Sequence, residues 1–492
     1  MSDKEKLLSG VRKLEEIVGL TLGPRGRNVV LQRDGWPLIT NDGITIAREV
    51  KLDDPVENLG AKIMLQASSQ TNVRVGDGTT SSIVLGREIL ERSLESGRCP
   101  VMLKDELLGL VKDVSEIIGE MSTPLSAERI EAIAINSCAS VELGAMVARA
   151  YEMVGLDGVV SLEENNHGHT TLSHVDGCEI PATLASPYMI ENPSSLETTY
   201  VGARLAIHDG PIKNINDLRP LLELAVTQKF PLVIIADDFS AEVIQALLLN
   251  RVRGGMQVLA LKLDEHPTRR TATLGDLAAL TNATLISREF DRTLASVSLE
   301  QLGTCQKLTA SMNSTKLITS FSCPDRADII RAQINEAQSD FEKSILQKRL
   351  ARLTTGIAVL GIGGATDIEL KERKLRAEDA IAAVKAAALE GIVVGGGVAY
   401  LRIADKIEND ILKQSLTAII KKILTNAGLE PDEVISKIKQ NKNPNFGFDA
   451  RELTYGDLME KNIIDPAAVV REVITNALSV AATLLTTEAV VV

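Results

Sequence analysis

Apolar residues recur at intervals of three and four near both ends of the chain, a spacing that gathers them on one face of a helix. Residues 7–18 carry the first such face and predict a helix that ends near Gly19. The same spacing continues to about Glu120, and a long helix is predicted over residues 367–390. We therefore expect both ends of the chain to be mainly helical.

Short apolar runs between polar residues predict strands. Residues 29–31 and 38–40 flank the polar residues 32–35 and predict a hairpin. The residues Asn41-Asp42-Gly43 follow the hairpin as a second predicted turn.

The middle of the chain alternates between strand and helix patterns. A buried strand (231–236), a helix (241–251) and another strand (256–261) follow one another, an order typical of a parallel α/β unit. Farther along, residues 328–353 predict one long polar helix. The expected fold class is multidomain, α+β and α/β, with helical material at both ends enclosing an α/β insert.

Length, charge and composition narrow the function. A chain of 492 residues is too long for one core, so two to four domains are expected. A net charge of −13 and an aromatic content of 3% argue against a nucleic-acid partner. The five cysteines are scattered and form no C-x-x-C pair, which favours the cytoplasm and predicts no zinc site. The apolar runs look too short to span a membrane, so no membrane partner is expected.

The stretch from Val75 to Ser82 combines two glycines, one carboxylate and four hydroxyls directly before a helical pattern that starts at Ile83. Glycine lets the backbone approach phosphate, and a helix N-terminus offers N–H groups to an anion. Asp77 could hold Mg²⁺ as a hard oxygen ligand. An ordinary helix cap accounts for the same residues equally well, since Ser, Thr and Asp are favoured caps.

Several motifs in fixed order along the chain resemble those of the group I chaperonins, the folding machines of bacteria and organelles, of which this chain looks like a divergent member. Shorter matches lie at residues 186–188, 336–340, 363–366 and 463–466. The motifs that carry the resemblance are Thr-Leu-Gly-Pro-Arg-Gly-Arg-Asn-Val-Val (21–30), Gly-Asp-Gly-Thr-Thr-Ser (76–81), Arg-Ala-Glu-Asp-Ala (376–380) and Gly-Gly-Gly-Val-Ala (395–399).

The resemblance implies three domains built from five segments. An equatorial ATP-binding domain would take residues 1–122 and 392–492, and an intermediate domain residues 123–176 and 357–391. A continuous apical domain would take residues 177–356. Gly177 and Gly356 would be the hinge between the last two domains, although each could be an ordinary turn glycine.

The resemblance also implies an ATPase site with Mg²⁺, and with K⁺ as a further candidate ion. Asp42 and Asp379 would be catalytic, Asp379 arriving on a moving arm, and Asp77 would coordinate Mg²⁺. Spacing alone would make Asp42 a turn former and Asp379 a solvated helix residue. The other implied nucleotide-binding residues are Thr21, Leu22, Gly23, Pro24, Asn41, Gly78, Thr79, Thr80, Ser81, Gly396, Asp449, Ala450, Arg451 and Asp465.

Two residues of the implied site depart from the family pattern. Asn41 stands where the family usually has a lysine, which removes a positive charge from the phosphate neighbourhood. Asp449 stands where the family has an asparagine, and a carboxylate pointing inward would oppose a polyanion. Both changes are compatible with a slower ATPase or a specialised paralogue.

Apolar apical helices would bind non-native polypeptides and a lid co-chaperonin. For an arbitrary protein these apolar faces would more often be core. Arg219 replaces an apolar family residue and Leu184 a common tyrosine, so client or lid preference is expected to differ. The implied binding set is Leu184, Tyr188, Met189, Leu222, Ile244, Leu248 and Leu249.

Free strand edges suggest assembly. The hairpin over residues 32–41 and a terminal strand over residues 487–492 would pair between neighbouring subunits, as in the family. A homo-oligomeric ring, heptameric and stacked in pairs, is implied.

The sequence therefore predicts an ATP-driven chaperonin subunit that encloses non-native polypeptides. A binding or scaffold paralogue with weak or no ATP turnover is the main alternative, motivated by Asn41. A small-molecule kinase that uses the glycine-rich loop is a third, and it predicts a monomer.

Overall fold

The computed structural model describes residues 3–33, 36–156, 158–165, 168–192, 196–263, 265–287, 292–319, 323–337 and 339–491. The chain divides into two compact units. Unit 1 comprises Met1–Arg149, Leu162–Thr171 and Gly361–Val492, and unit 2 comprises Ala150–Ser161 and Leu172–Leu360. The predicted mixture of helical ends around an α/β insert is confirmed. The predicted boundary between equatorial and intermediate domains falls inside unit 1, so the three-domain division stays a prediction.

The N-terminal part of the chain is mainly helical, as its apolar spacing predicts. The hairpin forms with Val30 opposite Ile39, and its turn, Asp34 and Gly35, lies outside the described residues. The elements are α1 (Asp3–Val18), β1 (Val29–Arg33), β2 (Trp36–Thr40), α2 (Gly43–Glu49), α3 (Pro55–Val75), α4 (Thr79–Glu95), α5 (Pro100–Met121), α6 (Ile130–Cys138) and α7 (Val141–Val154).

The middle part of the chain is α/β. Its strands are β3 (Val159–Glu164), β4 (Thr171–Val175), β5 (Gly177–Ile180), β6 (Ala182–Leu184), β7 (Glu197–Val201), β8 (Arg204–Asp209), β9 (Leu232–Ala236), β10 (Val258–Leu263), β11 (Ile286–Ser287), β12 (Gly303–Thr304), β13 (Lys307–Ser311), β14 (Thr315–Ile318) and β15 (Ile357–Ile362). Its helices are α8 (Arg219–Gln228), α9 (Ala241–Gly254), α10 (Pro267–Thr281), α11 (Pro324–Glu336) and α12 (Asp340–Thr354).

Two sheets organise unit 2. The larger has the order β11-β8-β9-β10-β6. Strands β9 and β10 run parallel, as the strand–helix–strand pattern predicts, and β8 also runs parallel to β9. All five residues of β9 are buried, since helices and loops cover both of its faces. The second sheet is antiparallel and has the order β5-β14-β13-β7.

The C-terminal part of the chain returns to helices in unit 1. Its elements are α13 (Asp367–Glu390), β16 (Ile392–Val394), α14 (Val398–Lys406), α15 (Asp410–Ser415), α16 (Ala418–Asn426), α17 (Pro431–Gln440), β17 (Phe446–Asp449), β18 (Thr454–Asp457), β19 (Ile464–Pro466) and α18 (Ala467–Leu485). The predicted bounds of α13 are confirmed.

Helix α18 is the central helix of unit 1 and packs against α3, α4 and α5. Its 19 residues, with a mean hydropathy of 1.5, are long and apolar enough to cross a membrane by composition alone. The expectation that no apolar run approaches that length was therefore wrong. However, 72% of the helix is buried inside the protein, as in the core helix of a folded domain.

Two other sequence predictions were wrong. Residues 328–353 form two helices, because Ser339 interrupts the pattern and caps α12 by accepting a hydrogen bond from the Glu342 amide at 3.1 Å. Residues 487–491 form no strand, and Val492 lies outside the described residues. Instead, the Val490 amide donates to the Asp3 carboxylate at 3.1 Å.

Candidate functional site

The glycine-rich motif forms the N-terminus of α4. Gly78 is the residue before the helix and has φ +88°, a conformation that glycine adopts without strain. The helix begins at Thr79, four residues earlier than the apolar pattern alone predicts, so Thr80 and Ser81 lie in its first turn. The amides of a first turn lack partners within the helix and are available to an anion.

A second helix N-terminus adjoins the first. The carboxylate of Asp42 caps α2 and accepts hydrogen bonds from the amides of Ile44 and Thr45 at 3.4 and 3.0 Å. Gly43 packs so closely on α4 that a Cβ there would lie 2.1 Å from Oγ1 of Thr80. The predicted turn at Asp42 is therefore a helix cap beside the glycine-rich motif.

The loop after α1 completes this side of the site. Oγ1 of Thr21 lies 3.5 Å from Oγ1 of Thr80. The carbonyl of Leu22 accepts a hydrogen bond from Asn426 at 2.9 Å, and Gly23 has φ +88°. Pro24 continues the same loop, so residues 21–24 lie where the sequence predicts one wall of a phosphate site.

Helix α13 brings Asp379 to the same place. A cavity of about 230 Å³ is lined by Asp42 and Asp379 together, although they come from opposite ends of the chain. The remaining lining residues are Ile44, Gly76, Leu375, Glu378 and Ala382. Asp379 is thus a half-buried cleft residue and not a solvated helix residue.

The acidic groups of the cleft perturb one another. Burial, followed by repulsion from Asp77 and Asp42, raises the pKa of Asp379 to about 9. Asp77 follows Gly76, a lining residue of the cavity, and desolvation together with repulsion from Asp42 raises its pKa. Burial and repulsion from Asp77 raise the pKa of Asp465 to about 7. These shifts show that burial and mutual repulsion disfavour the ionised form of each acid, and a bound cation would favour it.

The donor set fits Mg²⁺ bound together with phosphate. Among the described residues, no three His, Cys, Asp or Glu side chains are grouped closely enough to hold a metal ion by themselves. Mg²⁺ commonly takes one or two carboxylates and completes its shell with phosphate oxygens and water. Asp77, two residues before the N-terminus of α4, could supply the protein ligand.

The predicted base and ribose residues come from three segments that meet in unit 1. Gly396 has φ +62° in the turn before α14, and the Gly395 amide bonds to the Ile463 carbonyl at 2.9 Å. Asp465 lies in β19, opposite Val393 of β16. Ala450 follows β17 and is buried.

Asp449, which departs from the family pattern, is hydrogen-bonded within its own turn. Its carboxylate accepts hydrogen bonds from the amides of Arg451 and Glu452 at 2.9 and 3.1 Å, within its own turn. The Arg451 carbonyl in turn accepts a hydrogen bond from the Arg25 side chain at 2.9 Å. The carboxylate is therefore used locally to shape the turn.

Sequence reasoning missed two residues near the cleft. Tyr400 is buried in α14, where desolvation and the nearby Asp465 and Asp77 carboxylates raise its pKa. Arg376 donates a hydrogen bond to Asn41 at 3.3 Å. The signal for Arg376 was present, because it precedes Asp379 by three residues and shares its helical face.

Unit 2 carries a second, larger cavity of about 460 Å³ on the surface of α8. Leu222 and Val226 give it an apolar floor, and Arg219 and Glu223 pair at its edge at 2.8 Å. The other lining residues are Ile215, Asn216, Thr227, Asn250 and Met256.

The predicted polypeptide-binding residues divide between surface and core. Tyr188 and Leu249 are exposed, and Leu222, Ile244 and Leu248 are half-buried. The prediction of a surface role for Leu184 and Met189 is corrected by their burial. Leu184 lies in β6 opposite Leu261, and Met189 closes the turn after Pro187, so both side chains enter the core.

The two predicted hinge glycines both lie in unit 2. Gly177 begins β5, where a Cβ would lie 2.3 Å from the Leu317 carbonyl oxygen. Gly356 precedes β15 with φ +68°, and a Cβ there would lie 2.6 Å from Nε2 of His174. Both positions favour glycine, but their role as a hinge stays a prediction.

Comparisons with known proteins agree over nearly the whole chain. The model of the TCP-1/cpn60 chaperonin family matches residues 14–492. The chain is 38% identical to the chaperonin GroEL of Acholeplasma laidlawii (strain PG-8A), over 99% of this chain and 95% of that protein.

Solved structures of one phage chaperonin share the fold. These are two crystal forms of the chaperonin gp146 from the bacteriophage EL 2 (Pseudomonas aeruginosa) in the presence of ATP-BeFx, with TM-scores of 0.76 for form II and 0.67 for form I. Each is 20% identical to this chain, and the match covers 99% of this chain and 97% of that one.

Proposed function

The chain belongs to the TCP-1/cpn60 chaperonin family, and on that premise we propose how its two cavities divide the work of an ATP-dependent molecular chaperone. Membership makes the protein a chaperone and an ATPase. The cleft in unit 1 binds and hydrolyses ATP, and the groove in unit 2 binds non-native polypeptides. The single observation that carries the first assignment is that Asp42 and Asp379 line one cavity.

The cleft binds the triphosphate through backbone and hydroxyl groups. The N-termini of α2 and α4 offer amides to the phosphates, and Thr79, Thr80 and Ser81 add hydroxyls. Asp77 holds Mg²⁺, with K⁺ as a further candidate ion, and Mg²⁺ would neutralise charge on the phosphate oxygens. The surrounding nucleotide-binding residues are Thr21, Leu22, Gly23, Pro24, Asn41, Gly78, Gly396, Asp449, Ala450, Arg451 and Asp465.

Asp42 and Asp379 orient the attacking water. Both carboxylates border the cavity beside the glycine-rich motif, where a terminal phosphate would lie. Phosphoryl transfer needs mainly positioning and charge stabilisation, so two acidic side chains that hydrogen-bond to one water suit the step. Asp379 resides on α13, within the second segment of the proposed intermediate domain, so movement of that domain would time hydrolysis.

The groove on α8 binds clients through its apolar floor. Leu222 and Val226 line it, and Leu249 and Tyr188 are exposed apolar residues of the same unit. A non-native polypeptide exposes apolar side chains that such a surface removes from water. A lid co-chaperonin would compete for the same surface, and Gly177 and Gly356 would let the apical domain turn.

Ring assembly uses the β1–β2 hairpin. Val30 and Ile39 face each other across its ladder, and they expose 65% and 57% of their surface. An apolar pair on a two-stranded edge favours pairing with another chain. A heptameric ring stacked in pairs is the proposed assembly, and a cytoplasmic location is the proposed setting.

A refolding assay tests this function. A chemically denatured client enzyme should regain activity with the protein and ATP, and regain far less with ATP and the Asp379→Ala variant. If the two proteins gave equal yields, a scaffold without ATP turnover would be the better account. A monomer on a sizing column would contradict the proposed ring.

A further inference from the structure

Helix α13 is held over the cleft at two points, one helical turn on either side of Asp379. On one side, Nη2 of Arg376 donates a hydrogen bond to Oδ1 of Asn41 at 3.3 Å. On the other side, Ala382 packs closely on Gly76. A Cβ added to Gly76 would lie 2.1 Å from the Cβ of Ala382. Residues three apart are neighbours on a helix surface, so Arg376, Asp379 and Ala382 follow one side of α13, and the last two line the cleft.

Each of the two contacts is made with a residue that directly precedes an acidic residue in the chain. Asn41 precedes Asp42, and Gly76 precedes Asp77. Adjacent α-carbons are about 3.8 Å apart across a trans peptide, so the position of one residue closely fixes that of the next. Contact of α13 with Asn41 and Gly76 therefore sets its distance from both Asp42 and Asp77.

We propose that Asn41, Arg376 and Gly76 are positioning residues for ATP hydrolysis, forming a two-point seat that fixes Asp379 relative to Asp42 and Asp77. This inference rests on the proposed roles of those three acidic residues. The seat acts on the geometry of hydrolysis, and Asn41, which is also one of the proposed nucleotide-binding residues, acts in it through its hydrogen bond to Arg376.

The polar half of the seat is the hydrogen bond from Arg376 to Asn41, and its guanidinium is held in a fixed orientation. Nη2 of Arg376 also donates to Oε1 of Glu372 at 2.7 Å, one turn back on the same helix, which orients the guanidinium before it meets Asn41. A neutral amide oxygen accepts this bond without adding negative charge to a cleft that already holds several carboxylates. Asparagine thus gives a contact that the longer, cationic lysine cannot, because lysine has no acceptor.

The steric half of the seat depends on the absence of a side chain. Gly76 has φ +72°, a left-handed conformation that glycine adopts freely. Any larger residue would push Ala382, and with it α13, away from the motif that carries Asp77. The two halves therefore act through different physical interactions and can be tested separately.

Steady-state ATPase kinetics of Asn41→Ala, Arg376→Ala and the double variant test the polar half. Each single variant should lower kcat about tenfold. Arg376→Ala should also leave KM for ATP within about twofold, because a displaced Asp379 loses alignment while the nucleotide-binding groups stay in place. The double variant should be no slower than either single variant, since each removes the same hydrogen bond. Lys374→Ala is the matched control, as its amino group bonds to Glu164 at 2.7 Å, and its kcat should equal that of the wild type.

A paired exchange of side chains tests the steric half. Gly76→Ala should lower kcat about tenfold, and adding Ala382→Gly to the same chain should restore part of the loss, because the second change reopens the space while the left-handed backbone strain at residue 76 remains. A purely structural effect of Gly76→Ala would not be rescued in this way. Circular dichroism confirms which variants fold. If the variants of one half of the seat do not fold, those of the other half still test the proposal.

Distinct results separate this inference from the proposed function. If the wild type hydrolyses ATP but Arg376→Ala keeps full kcat, the seat is overturned and the ATPase assignment stands. If the losses of Asn41→Ala and Arg376→Ala multiply in the double variant, their coupling is overturned. A wild type without ATPase activity would overturn both the seat and the proposed site.

Discussion

Asp379 lies within electrostatic range of Asp77, and burial together with this repulsion raises the pKa of Asp379 to about 9. Acids gathered in this way destabilise a folded protein unless a cation compensates them. Active sites often sacrifice stability for chemistry, and this cleft fits that pattern. The relationship leads directly to a prediction about stability.

Asp379→Asn should stabilise the protein in the absence of nucleotide and Mg²⁺. The pKa of Asp379 in the folded protein, about 9, is raised above its ordinary value of 3.8, so the folded state binds the proton more tightly. The contribution of Asp379 to stability is thus fully present below about pH 4 and is lost as the pH rises towards 9. Asparagine does not titrate. At pH 8 the free energy of unfolding of Asp379→Asn should therefore exceed that of the wild type by on the order of 1–3 kcal/mol.

Thermal denaturation at pH 5 and pH 8 measures this difference. The midpoint temperature of unfolding should be higher for Asp379→Asn than for the wild type. This difference should be larger at pH 8 than at pH 5. Glu408→Gln, which changes an exposed carboxylate of the same unit, should show no such pH-dependent gain. A gain for Asp379→Asn that is equal at both pH values would contradict the electrostatic origin.

Leu249→Ser should weaken client capture without unfolding the protein. Leu249 is 51% exposed at the surface of α9, so its loss removes contact area for a client but little core. Suppression of aggregation of a denatured client, measured by light scattering without nucleotide, should fall.

Leu184→Ala provides the contrast at a core position. Leu184 is 2% exposed, and its truncation should cost about 2–4 kcal/mol of stability through lost packing. Denaturant unfolding measures that loss. If Leu249→Ser captured clients as well as the wild type, Leu249 would not belong to the client-binding surface.

Ile39→Asp should dissociate the ring. A charged residue on the exposed hairpin would be buried against the neighbouring chain, and the loss of its hydration would weaken the association of the subunits. Light scattering coupled to a sizing column should show a large particle for the wild type and smaller species for the variant. Val252→Asp, at an exposed apolar position of α9, is the control and should keep the large particle.

Much of the fold followed from local patterns in the sequence. The bounds of α13 and the parallel pairing of β9 with β10 were predicted because apolar spacing and the alternation of strand and helix patterns indicate them locally. The break at Ser339 was missed, because one serine in a polar helix gives a weak signal until its side chain caps the next segment.

The site was harder to predict than the fold. The motif around Asp77 pointed to phosphate from residue types alone, but Asp379 needed the family resemblance, since nothing local distinguishes it from a solvated helix residue. The burial of Leu184 and Met189 could not be foreseen, because apolar residues at a surface groove and in a core have the same composition. Tertiary contacts such as Arg376 with Asn41 join distant parts of the chain and leave no mark in local spacing.

The most direct test of the central claim measures ATP binding and phosphate release together for the wild type and Asp379→Ala. The account predicts that both proteins bind ATP with Mg²⁺ with similar affinity, and that Asp379→Ala releases phosphate at least about 100-fold more slowly. Equal rates of phosphate release would contradict the claim that Asp379 and Asp42 form one hydrolytic site.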